Sequence, residues 1–341
     1  MSETMLAGTF GGVGILKIVE RPIPQIPADD WVLIKNEGCG VCGSDLHILA
    51  DPPGFEATLG AVLGHEFLGH IVEVGAAVKD FKVGDRVAVN PNMTCGICRY
   101  CKVGLPNHCE NWTTLGLHKD GGFASHTVAP QGYLHRVSEA VAFETAVWIE
   151  PLSCVVNGTD KVAIQPGQTA VVIGAGPIGM LHGMMFKAAG ARVIISDLAP
   201  VRLEAARQVG MDIVVNGKEQ NLWEVVMDIT NGMGAEVVAD TVGNQFGTAV
   251  KLAARGGKIA LFGMIEHATP AVKQHDITRN ELTVVGVFVS PYTFPRAIQI
   301  LESGIIDPSP LNTLTLPVAE MQRGIDAARA GEAVKVVISA N

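Results

Sequence analysis

TAVVIGAGPIGMLHGMMFKAAGARVIISD, residues 169–197, decides the fold. A short β-branched run, 169–173, enters Gly174-x-Gly176-x-x-Gly179, and a helical pattern opens with Pro177 and Ile178. Ile178, Leu181, Met185 and Ala188–Ala189 are spaced for its buried side, and Met180, Met184 and Met185 read as core. Gly190 ends the helix, a second strand follows, and Asp197 closes it. A glycine triplet alone is a weak signal; between strand and helix, with an acid about 20 residues on, it is strong. The first glycine makes the tight turn, the second lets a pyrophosphate approach the backbone, and the third lets helix and strand pack closely. The helix N-terminus then offers unpaired N–H groups to the phosphates.

The next signals extend the same pattern. Asp197 is placed to accept hydrogen bonds from the adenosine ribose hydroxyls and to repel a 2′-phosphate. Leu198, Ala199 and Pro200 follow, and Arg202 is the nearest base, which favours NAD over NADP. AEVVADTVG (235–243), GGKIALFGM (256–264) and ELTVVGVFVS (281–290) read as later strands of one parallel sheet. Strands alternating with helices point to a doubly wound α/β fold. Ligands sit at strand C-termini in such folds, so Val242, Phe262, Gly263, Val287 and Phe288 join the cofactor-binding candidates.

Length and composition bound what surrounds this sheet. The 341 residues allow two domains, and 48% hydrophobic with 17% charged residues excludes a disordered chain. A formal charge of -9 gives nucleic acid or an anionic membrane no electrostatic reason to bind. The N-terminal stretch lacks the basic start and unbroken apolar core of a signal peptide, so a soluble cytoplasmic protein is expected.

In that reducing setting, clustered thiols mark a metal or catalysis more often than disulfides. CGICRYCKVGLPNHC (95–109) spaces Cys95, Cys98, Cys101 and Cys109 as C-x2-C-x2-C-x7-C. Short gaps with Gly96, Gly104 and Pro106 let one loop turn four thiolates to a centre. That is the closed tetrahedral set of structural zinc, which leaves no position for substrate. An iron–sulfur cluster also takes four cysteines, but its spacings usually differ and are followed by proline.

A second site is expected upstream, in GCGVCGSDLH (38–47) and GHEFLGHIVEVG (64–75). Catalytic zinc keeps three protein ligands and an open position. Cys42 and His65 supply two; Glu66 and Glu150, the latter in WIEPLSCVVNG, compete for the third. Asp45 is the carboxylate expected to orient the histidine ligand. Ser44 and His47 add a hydroxyl and an imidazole. Cys39 and Cys154 sit among small or apolar residues and read as buried, inert thiols.

With these pieces together, the chain resembles the zinc-dependent medium-chain dehydrogenase/reductases, in particular the sorbitol and polyol dehydrogenase branch. The resemblance runs from CGVCGSDLH and GHE through the four-cysteine lobe and EPLSCVVNG to VIGAGPIG and the C-terminal KVVIS. It implies a GroES-like β-rich catalytic domain over 1–152, with a zinc lobe at about 90–112, a Rossmann domain over 153–288, and a return of 289–341 to the first domain. It implies two zinc ions, catalytic and structural, with NAD, and a homodimer or homotetramer joined through the Rossmann sheet edge near LTVVGVFV. Cys42 and His65 look like its catalytic zinc ligands, and Glu66 and Glu150 match glutamates that bind the zinc or hold its water. Glutamate at 150 and Gly43, where simple alcohol dehydrogenases often carry cysteine and a basic residue, point to the polyol branch.

The implied reaction oxidises a secondary alcohol, a pentitol or hexitol, to the ketose at the expense of NAD. A zinc Lewis acid facing the nicotinamide from between the domains would acidify the substrate hydroxyl. Ser44 would take the proton and His47 pass it on through the cofactor ribose. The alternative substrates are non-sugar secondary alcohols of the butanediol or threonine type. SPYTFPRA (290–297) reads either as a segment approaching the substrate or as a plain loop.

Overall fold

The computed structural model describes residues 3–340, which fall into two compact units. The first takes in the described chain as far as Glu150, then Phe294–Gly304, and finally everything from Asn312 onward. The second comprises Pro151–Thr293 and Ile305–Leu311.

The first unit is β-rich. Its main sheet runs in the order Asn312–Pro317, Lys335–Ser339, Trp31–Gly40, Glu66–Val74, Arg86–Val89 and Leu134–Arg136, with His126–Pro130 also paired to Trp31–Gly40. Alternation of apolar side chains sends Val32, Ile34, Phe67, Ile71, Val87, Val89, Val336 and Ile338 into one core, closed by Phe123 and Met321. Two registers matter for function. Gly40 pairs with Glu66 on one side and with Val337 on the other. The end of Trp31–Gly40, the start of Glu66–Val74 and the start of Lys335–Ser339 therefore meet at one corner, two residues before Cys42.

The second unit is a six-stranded parallel sheet, ordered Ile213–Asn216, Arg192–Asp197, Thr169–Ile173, Ala235–Asp240, Ala253–Leu261 and Thr283–Gly286. The first three strands in sequence run outward in one direction and the last three in the other, which is the Rossmann order with its switch point between Thr169–Ile173 and Ala235–Asp240. Ala170, Val171 and Val172 have no exposed surface, as expected of a strand covered on both faces. The fold is α/β, a GroES-like β-rich unit with a Rossmann sheet.

The helix after the glycine loop, Pro177–Ala188, buries Met180, Leu181 and Met184 as expected but departs from the sequence expectation at Ile178, Met185 and Ala188. Its buried residues include Gly179, Met180, Leu181, Gly183, Met184 and Phe186, whereas Ile178 and Met185 are half-buried and Ala188 is exposed. The glycines set this face. A Cβ on Gly179 would stand 1.9 Å from the carbonyl oxygen of Gly174, so only glycine lets the helix sit this close to the strand. Residues 290–297 are not a plain loop either: a helix, Phe294–Glu302, begins within them, with Pro295 in its first turn.

Candidate metal and cofactor sites

Cys42 ends the turn out of Trp31–Gly40 and caps a short helix, Gly43–Ile48. The Asp45 carboxylate accepts the Cys42 backbone N–H at 2.9 Å, which fixes the helix start and aims Asp45 inward. His65 directly precedes Glu66–Val74, and Glu66 is its first residue. One ligand atom from each of Cys42, His65 and Glu66 lies within 4.8 Å of the other two. Ser44 Oγ lies 3.3 Å from His65 Nε2. Asp45 Oδ1 stands 3.9 Å from His65 Nδ1, behind the ring but beyond hydrogen-bond length. His47 is half-buried, with its ring edge-on to Phe55 at 6.0 Å. Glu150 is buried near the start of the helix Ile149–Val162.

One residue of this corner escaped the sequence reading. Lys335, fully buried, donates through Nζ to the Glu66 carboxylate and to the Val41 carbonyl at 3.2 Å, with its ammonium 5.2 Å from the Trp148 ring centroid. Gly40 makes room for it: a Cβ there would lie 2.9 Å from Lys335 Nζ. Burial works against the Lys335 charge, but Glu66, then Cys42 and Glu150, outweigh burial and hold its pKa above normal. Burial likewise works against a charged His65, yet the Cys42 thiol, Asp45 and Glu150 raise its pKa well above the usual range. Burial lifts Asp45 to about 6.

The donor set fits a divalent cation. Asp45, Glu66 and a thiol surround one lysine and one imidazole. The buried Glu150 lies outside the Cys42–His65–Glu66 cluster, while its charge still favours the protonated His65 and Lys335. The buried His65 Nδ1 and Asp45 Oδ1 have no hydrogen-bond partner. Excess buried negative charge is costly unless a cation answers it. Sulfur, imidazole nitrogen and carboxylate oxygen are the zinc-binding trio.

The four-cysteine loop closes as its spacing demands. All seven cysteines are free of disulfides, and the Cys95, Cys98, Cys101 and Cys109 sulfurs lie within 4.8 Å of one another. Cys95 and Cys109 are 3.5 Å apart and Cys98 and Cys109 4.0 Å. Four sulfurs at zinc-bond length around one ion would be separated by about 3.8 Å. Backbone amides of Ile97 and Cys98 pull Cys95 down to about 6, toward the thiolate a metal needs. Cys39 and Cys154 are buried.

In the second unit, the predicted cofactor residues gather at the C-terminal ends of parallel strands. Asp197 ends Arg192–Asp197; its Oδ2 accepts the Ala175 N–H at 2.7 Å, and its Oδ1 accepts the N–H groups of Leu198 and Ala199. Arg202 stands 3.7 Å away. Gly174 and Gly176 form the turn before Pro177 and Ile178. Val242, Phe262 and Gly263 are organised by Asp240, which sequence reading passed over. This buried acid accepts the Val242, Gly243 and Gln245 amides, and its carbonyl accepts those of Phe262 and Gly263. Its signal was a carboxylate closing the apolar run VVA at the C-terminal end of the strand AEVVAD. The Val287 N–H is held by the Leu261 carbonyl, and Phe288 follows.

Known proteins match both halves. The Alcohol dehydrogenase GroES-like domain family matches residues 28–139, and the Zinc-binding dehydrogenase family matches residues 177–303. Sorbitol dehydrogenase of Bacillus subtilis (strain 168) is 35% identical over 347 residues, covering 99% of this chain and 98% of that one. A putative zinc-binding dehydrogenase of Sinorhizobium meliloti 1021, solved bound to NADP, superposes with TM-score 0.93 at 30% identity over 99% of this chain and 100% of its own. The RspB alcohol dehydrogenase of Escherichia coli CFT073, solved with NADH, gives 0.91 at 32% identity over 98% and 99%. The fold and site thus define an oxidoreductase of the alcohol dehydrogenase class. The chain belongs to the zinc-dependent medium-chain dehydrogenases, in their polyol branch. Among the described residues no helix is long and apolar enough to cross a membrane.

Proposed function

We propose that the protein oxidises a secondary hydroxyl of a pentitol or hexitol to the ketose, with NAD as hydride acceptor and two zinc ions per chain. The observation that carries this is the convergence of Cys42, His65 and Glu66, with Glu150 close enough to act on His65, in place of a cysteine-rich catalytic set. When bound, zinc supplies Lewis acidity toward the substrate hydroxyl and NAD takes up the hydride.

The chain's own residues do the rest. Cys42, His65 and one or both glutamates hold the metal, and Asp45 backs the imidazole. Lys335 occupies one oxygen of Glu66, which neutralises that carboxylate in part and limits the charge it passes to the metal. Ser44, beside His65, takes the hydroxyl proton. His47 lies one turn further along the same helix, half-buried, and hands the proton toward solvent.

NAD over NADP rests on Asp197. A carboxylate has about four lone-pair sites. Three are filled by the amides of Ala175, Leu198 and Ala199, which leaves one on Oδ2 for a ribose hydroxyl, while the carboxylate's charge repels a 2′-phosphate. The test is initial-rate reduction of NAD and NADP by zinc-loaded protein across pentitols, hexitols, butanediol and threonine. Highest kcat/KM with a polyol and NAD is expected; preference for butanediol, threonine or NADP overturns the corresponding half of the proposal.

A further inference from the structure

The helix Ile149–Val162 presents Ser153, Asn157 and Lys161 at four-residue spacing, hence on one face. All three grip the single stretch 286–293. Lys161 Nζ donates to the Gly286 carbonyl at 2.7 Å, Asn157 Nδ2 donates to the Val289 carbonyl at 2.8 Å and to that of Phe288 at 3.4 Å, and the Ser153 carbonyl accepts from Thr293 Oγ1 at 2.7 Å. The gripped backbone is not at ease. Val289 and Tyr292 have φ of 43° and 59°, a region that β-branched and bulky residues avoid unless their surroundings impose it. Ser153 acts through its backbone carbonyl and the Lys161 side chain is exposed, whereas the Asn157 side chain is buried and donates to both the Phe288 and Val289 carbonyls at the left-handed turn.

The place of this stretch gives the clamp a purpose. It leaves the C-terminal end of Thr283–Gly286, the outermost strand on the side of the switch point away from Asp197. In a doubly wound sheet each half takes one mononucleotide, and Asp197 marks the adenosine half. Residues 287–289 therefore border the nicotinamide half. We infer that Asn157 is a positioning residue for the nicotinamide end of the cofactor, acting through the Phe288 and Val289 carbonyls, which it holds in a backbone conformation the chain would otherwise leave.

This rests on the nicotinamide-cofactor reading above, and the experiment separates the two. Binding of NADH and of ADP-ribose, which lacks the nicotinamide, is measured by calorimetry for the wild type, Asn157→Ala and Asn157→Asp, together with melting curves. The second variant keeps the side-chain volume should the first not fold. NADH affinity is expected to fall about tenfold in the variants, the scale of one lost hydrogen bond, with ADP-ribose affinity unchanged. Equal weakening of both ligands, or unchanged NADH binding, overturns the positioning role. A wild type that binds neither ligand overturns the cofactor reading itself, and the positioning role with it.

Discussion

Replacing Lys335 by methionine tests how the metal-site corner balances its charge. Methionine keeps most of the stem's packing but removes the ammonium, so what is lost is electrostatic. The structure gives the components. The Glu66 carboxylate, 2% exposed, would be left in the interior without its lysine, and the Val41 carbonyl would lose a donor at 3.2 Å. Breaking a buried pair by removing one partner destabilises by about 3–5 kcal/mol. Metal-free Lys335→Met should therefore lose about 3 kcal/mol or more in urea denaturation followed by tryptophan fluorescence, with buried Trp148 beside the lesion. Two controls make the argument specific. Adding Glu66→Gln should recover much of the loss, because the orphaned charge is gone. Loading zinc should also shrink the loss, because a cation then faces Glu66 from the other side. A Lys335→Met protein as stable as wild type without metal, or equally destabilised with and without zinc, would refute the charge-balance account.

Two further outcomes follow from buried groups elsewhere. His182 is fully buried, neither ring nitrogen has a hydrogen-bond partner, and burial lowers its pKa to about 3. A folded pKa below the unfolded value of about 6.5 means that its contribution is whole above pH 6.5 and is lost as the pH falls toward 3. Between pH 7.5 and 5.0 the wild type should lose about 2 kcal/mol more than His182→Leu, measured as the difference between their denaturation free energies; parallel pH curves would contradict this. Cys98→Ser should lower zinc content from about two equivalents per chain to about one and expose the 95–113 loop to protease, leaving the metal at Cys42 in place; loss of both metals, or of neither, would count against two independent sites.

What the sequence made legible was local. The glycine turn, Asp197, the four-cysteine loop and the Cys42–Ser44–Asp45 run each lie within about one or two structural elements, where spacing dictates geometry. Even His65 and Glu66 needed only the pairing of two neighbouring strands. What stayed hidden was whatever a distant strand or helix contributes. Lys335 lies 269 residues from Glu66, and only the pairing of Gly40 with both flanking strands brings them together. Its signal was present as a lone lysine in the apolar run AVKVVIS, since a cation in the middle of a buried strand needs an anion somewhere. The helix face of Pro177–Ala188 was misjudged for a related reason. Hydrophobic spacing marks the side that a helix prefers to bury, but Gly179 and Gly183 mark the side it can bring closest to the sheet. Met180, Leu181 and Met184 are buried as their spacing suggested, but the close approach at Gly179 turns the face enough to leave Ile178 and Met185 only half-buried.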